Sequence, residues 1–320
     1  MFSGITITWL SGISITCFAA SYAVALALEI SRIFFRSGVR GAIMLGFAAA
    51  GLFAHTVFLV YRAAQATGSP LSSNRDWYLL AAWVLALAYL YLAAYHPRNA
   101  FGVFLLPLLL GLVGVGTWLA DAEPFARAPA SQVWGIIHGT AVLLATVSVL
   151  IGFAAGLMYL GQAYRLKRKL PPTRGLRLPS LEWLQRANSR AIVVSLLMLG
   201  IGIAAGVVLN LINVNRHSDR LPWTDPFILS TMIMFAWLVL GSVVGVFYRP
   251  LGEGRRVAYF TVVSFIFLAV ALGVGLFFNT EHGSTRDNED GQSSKAGLGM
   301  LELEIEAPSE PALRETGGAA

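Results

Sequence analysis

Charged side chains are absent from eight long stretches of this 320-residue chain: residues 1–28, 41–61, 77–97, 99–120, 128–164, 191–215, 226–248 and 257–280. Each stretch can supply a helix of ~20 residues, the length needed to cross a bilayer's hydrocarbon. Backbone polar groups find no water there and must bond within their own segment, a demand that an α-helix meets. The pattern therefore predicts an all-α polytopic membrane protein, with eight transmembrane helices in a membrane domain over residues 1–280. A soluble domain is excluded, because 56% of the chain is hydrophobic and only 12% charged.

The remaining charges predict the topology. With the N-terminus outside, the inner connections collect fifteen Lys and Arg, among them Arg32, Arg36, Arg40, Arg98 and the run from Arg165 to Arg190, and the outer ones collect five. This asymmetry follows the positive-inside rule and puts both termini outside. It also accounts for the net charge of +6 without a nucleic-acid partner. The tail from residue 281 is rich in Gly and Ser and acidic, and is expected to be disordered. Within it, residues 301–306 alternate as an added strand would. The single cysteine, Cys17, allows no internal disulfide and no C-x-x-C or C-x-x-C-H motif.

In chain order the expected helices begin with 5–28, 41–61, 77–95 and 100–118, the last containing Pro107. The second carries His55, which at that depth requires a neighbouring helix, a ligand or water. His96 reads as a solvated helix end. The fifth helix opens with Trp134 and His138 at the outer boundary and ends in a basic run that serves as a topology anchor and attracts anionic lipid. Ser180 is a suitable N-cap for an interfacial helix over about 180–190, whose apolar side, with Leu181, Trp183 and Leu184, would rest on the membrane. Glycine-rich helix 6 follows, then helix 7 over 226–248 and helix 8 over 257–278.

Between helices 6 and 7 lies the polar segment Asn-Val-Asn-Arg-His-Ser-Asp-Arg-Leu-Pro-Trp-Thr-Asp-Pro, residues 213–226. Its charges are too costly for hydrocarbon, so it belongs at the outer surface. Pro222 and Pro226 bracket Trp223 and Asp225, setting a rigid indole beside a carboxylate. The plainer reading is an interfacial Trp anchor and an Asp that caps the helix starting at Pro226. The outer face thus gathers His138, His217 and His282 with Trp134, Trp223, Arg127, Arg216 and Arg220. Iron porphyrin needs an axial nitrogen, an aromatic wall and cations for its propionates, and the set includes all three. Zinc would call for short His spacings, and a Ser-His-Asp hydrolase for a G-x-S-x-G elbow; neither is present. A transporter reading is disfavoured because no carboxylate falls inside an expected span.

The order of these features resembles the cytochrome c assembly protein family, the CcsA and HemX-like membrane proteins. The resemblance runs from about residue 42 to His282. It is carried by the helix from Trp134 with its Leu-Lys-Arg-Lys tail, by Leu178-Pro-Ser-Leu-Glu182 with the following helix, by Trp223-Thr-Asp-Pro226, by the turn containing Gly254-Arg-Arg, and by the closing Asn279 to His282. It implies haem b held or passed at the outer membrane face for c-type cytochrome assembly. In that role His138 and His282 would ligate iron, Trp223 with Asp225 would present the porphyrin, Arg216 or Arg220 would meet propionates, and His55 would match an intramembrane histidine of the HemX-like branch. It implies a partner with a large extracytoplasmic domain, an apocytochrome c as haem acceptor, and a place in the bacterial cytoplasmic membrane as at most one subunit of a haem lyase. The chain departs from the family's usual W-x-W-D-P-K-E: a Thr separates Trp from Asp, and Phe227-Ile228 replaces Lys-Glu. Gly241, Ser242 and Gly245 stand where haem-handling members carry a helix 7 histidine. These departures leave a second expectation, a HemX-like scaffold that regulates haem synthesis by binding a protein and not haem.

Overall fold

The charge-free stretches fold as helices, and the boundaries fall where polar side chains can cap or pair. The computed structural model describes residues 14–34, 38–65, 71, 73–97, 99–121, 129–169, 177–214, 224–247 and 254–277. These form α1 (Ile15–Phe34), α2 (Gly38–Gln65), α3 (Asn74–Tyr95), α4 (Gly102–Trp118), α5 (Pro129–Lys167), α6 (Leu181–Val214), α7 (Pro226–Phe247) and α8 (Gly254–Phe277). No strand occurs among the described residues. The chain is a multi-pass membrane protein: seven of the helices are long and apolar enough to cross a bilayer. Where eight spans of that length were expected, α4 is apolar but has only 17 residues, about 26 Å at 1.5 Å per residue. The tail and residues 301–306 lie outside the described residues.

The helices pack in two groups of four. In the first, α1 to α4 pack in sequence and α4 closes back on α1; in the second, α5 packs on α6 and α8, and α7 on α6 and α8. The groups meet through α3 and α4 against α5. At that joint Gly139 of α5 admits the ring of Trp77 from α3, which any Cβ would overlap. Small residues play the same part inside the second group, where Gly152 faces Ala191 and Gly156 faces Thr261 and the Ala258 carbonyl. Close backbone approach of this kind is how helices associate in lipid, which offers no hydrophobic drive between them.

The start of α1 lies later than expected, and its end passes the first charge. Glu29 is buried within it, 1% exposed, because Arg32 sits one turn on with Nη1 3.1 Å from its carboxylate. A charge paired at i, i+3 need not end a helix. The segment 180–190 also differs from its expectation, since it forms the first turns of the unbroken α6. Ser180 is the cap: its hydroxyl accepts from the Trp183 N–H at 3.3 Å. The apolar side expected to rest on lipid instead packs on protein. Leu184 is fully buried, Trp183 meets Phe101 and His96 with ring centroids 5.5 and 6.1 Å away, and the Ala100 N–H donates to the Arg177 carbonyl.

Candidate functional site

His138 lies three turns into α5, opposite the C-terminal half of α6. A carbonyl oxygen can only accept, so Nδ1 donates to the Gly202 carbonyl, 2.7 Å away. This fixes the neutral ring as the Nδ1–H tautomer with its lone pair on Nε2. One turn further on, Gly206 makes room for the ring: a Cβ there would lie 3.0 Å from Nδ1. Gly206 thus opens a notch on α6 for the half-buried imidazole, while Gly202, whose carbonyl accepts from it, lets Val142 of α5 approach closely. An Nδ1–H bound to a backbone carbonyl is the outer-shell contact that orients metal-ligating histidines. An imidazole in this tautomer has the chemistry of an axial ligand, which would bind through Nε2.

The antiparallel packing puts four helix ends on the same side of this helix group: the start of α5, the ends of α6 and α8, and the start of α7. Gly275, near the end of α8, packs against the Phe227 ring at the start of α7, where a Cβ would be 2.9 Å from Cδ2. Asp225 sits at that same start. Its Oδ1 accepts from the N–H groups of Phe227 and Ile228, at 2.8 and 3.4 Å, and its side chain is buried. Asp225 thus caps α7, and Phe227 has both a backbone and a packing role. Trp223, Arg216, Arg220, His217 and His282 lie outside the described residues, so the structure gives no geometry for them.

His55 is placed differently. It is 0% exposed in the α1–α2–α3 packing, its ring stacked on Phe18 at 4.0 Å and 3° and its Nδ1 3.5 Å from the Tyr22 hydroxyl. Nε2 makes no hydrogen bond. The imidazole is thus enclosed by side chains of α1 and α2, with one ring nitrogen in reach of the Tyr22 hydroxyl. On α7, the stretch around Gly241 is occupied by aromatic packing. Gly241 admits the Phe260 ring, which stacks on Trp237 at 4.8 Å and 12°.

Three residues escaped the sequence reading. Glu29 and Asp76 both lie inside spans, which removes the ground on which a transporter was disfavoured. Each carboxylate is nonetheless paired, Glu29 with Arg32 and Asp76 with Arg62 Nε at 2.7 Å. The third is Asn210, one turn beyond Gly206 on α6, buried with no partner for Oδ1. The i, i+4 spacing from Gly206 to Asn210 is the signal that would have found it. Among the described residues no group of three or more His, Cys, Asp or Glu is close enough to hold a metal ion. No family model, curated protein or solved structure matches the chain.

Proposed function

We propose that this membrane protein handles haem at its outer face for c-type cytochrome assembly, with haem b as its ligand. The observation carrying the proposal is the Nδ1 bond from His138 to the Gly202 carbonyl, the kind of contact that orients a ligating histidine whose Nε2 would meet the iron. The convergence of the α5, α6, α7 and α8 ends supports it, since the connection bearing Trp223, Arg216 and Arg220 and the chain leading to His282 both leave from that end. In this reading His282 is the second iron ligand, Trp223 stacks on the porphyrin, and an arginine meets its propionates. Asp225 holds the start of α7 beneath them. The protein would act as the membrane subunit beside a partner with a large extracytoplasmic domain, and would deliver haem to apocytochrome c. Haem, when bound, supplies the cargo; this chain's residues bind and orient it. The test is an optical spectrum of protein purified after co-expression with haem supply. A Soret band that His138→Ala with His282→Ala removes supports the proposal, and an unpigmented protein refutes it.

A second reading draws on the interior. The enclosure of His55 and the Trp237–Phe260 stack support a HemX-like scaffold that regulates haem synthesis through a protein partner. Capture of a cytosolic enzyme by the basic loop, undisturbed by the outer histidine variants, would decide for it.

A further inference from the structure

Far from the histidines, four hydroxyl residues surround a small space between α5, α6, α7 and α8. Its lining includes Ser148, Ser195, Thr261 and Ser264, with Leu238 and Gly152 beside them. Three of the hydroxyl protons are already committed to their own helices: Ser195 donates to the Ile192 carbonyl at 3.0 Å, Thr261 to Ala258 at 2.9 Å and Ser264 to Phe260 at 2.8 Å. Ser264 Oγ also accepts from Trp237 Nε1 at 3.1 Å. What the walls offer is lone pairs and no charge. A cation would lose its hydration without a counter-charge, and an apolar guest would leave the oxygens unpaired. The space is on the scale of a single water, which can donate two protons.

The same face of α6 carries a second signal one turn away. Asn188, Ala191, Ile192 and Ser195 follow i, i+3, i+4, i+7 spacing, and Asn188 is 0% exposed with neither Nδ2 nor Oδ1 hydrogen-bonded. A side chain so enclosed is beyond the reach of lipid or a second chain.

We infer that the α5–α6–α8 seam is a binding site for structural water, one molecule donating to the hydroxyl oxygens around Ser195 and Thr261 and another bonded to the Asn188 amide. Water bridges are nearly as favourable as direct hydrogen bonds, so the seam is held by polar links as well as by the close packing at Gly152 and Gly156. Millisecond X-ray radiolysis of the full-length protein in lipid nanodiscs tests this, because radicals born from trapped water oxidise neighbours that bulk radicals cannot reach. Leu238, Ile192 and Val149 should oxidise several-fold faster than Leu106, which is fully buried in the other helix group. Ser195→Val, which fills the space, should bring them to the Leu106 rate; if it does not fold, Thr261→Val serves the same comparison. Oxidation at the Leu106 rate in the wild-type protein overturns the inference. So does a Tm raised by several degrees in Asn188→Leu, the result for a dry, unpaired amide.

Discussion

The buried carboxylate of Glu29 holds the guanidinium of Arg32 at 3.1 Å, and the same guanidinium reaches the Pro97 carbonyl at 2.6 Å. One ion pair thus ties α1 to the turn between α3 and α4. Glu29 also packs against Gly102, where a Cβ would lie 2.9 Å from its Cγ, so the carboxylate stands at the start of α4, a helix with no side-chain cap of its own and a natural place for negative charge. Glu29→Ala should destabilise the protein by roughly 3 kcal/mol, the loss usual when one member of a buried pair is removed. Glu29→Gln keeps the shape and some of the hydrogen bonding and should lose less. Thermal unfolding in a mild detergent measures both.

The notch around His138 gives a graded test of haem handling. Gly206→Ala places a methyl 3.0 Å from Nδ1 and should push the ring from the Gly202 carbonyl. Loss of such an orienting contact weakens metal binding by roughly tenfold or more. Haem titration followed at the Soret band should show this weakening for Gly206→Ala and near-complete loss for His138→Ala, while both variants keep the helical circular dichroism of the parent.

Asp225 offers a separation of cap from ligand contact. Asp225→Ala should cost about 1 kcal/mol of stability through the lost bonds to Phe227 and Ile228. Asp225→Asn, an equally good cap, should melt with the parent. A fall in haem retention in the Asn variant without a fall in Tm would assign the carboxylate's charge to haem.

At the other carboxylate, Ser73 both accepts from the Asp76 N–H at 3.3 Å and donates to Oδ2 at 2.9 Å, while Arg62 pairs with Oδ1. Arg62 is partly exposed, so water can take over some of its solvation when the pair is broken. Asp76→Asn should therefore cost about 2 kcal/mol, less than a fully buried pair. Asp76→Asn and Arg62→Met should not be additive, a coupling that a double-mutant cycle in thermal unfolding reads directly.

Gly139→Ala should act on the joint between the helix groups. Its methyl would overlap Trp77, and relief requires the indole or the α5 backbone to move. Overpacking of this kind costs roughly 1–3 kcal/mol. Combining it with Trp77→Phe should restore part of the loss, as seen in the unfolding midpoint.

The sequence by itself determined the membrane class, the place of each helix to within a few residues over most of the chain, and the caps at Ser180 and Asp225. These rest on local chemistry: an uncharged stretch cannot stay hydrated in lipid without closing its own hydrogen bonds, and a cap reaches only three residues forward. It could not say that His138 would meet Gly202 or that Glu29 would stay inside α1, nor that Trp183 would pack on Phe101. Only the tertiary structure decided these, and the reason is physical. In a soluble protein the polar face of a helix marks its outside; here lipid-facing and protein-facing sides are both apolar, so the periodicity that would reveal the partner face is erased. Which glycine meets which ring then depends on helix register, and register is set only when the helices pack.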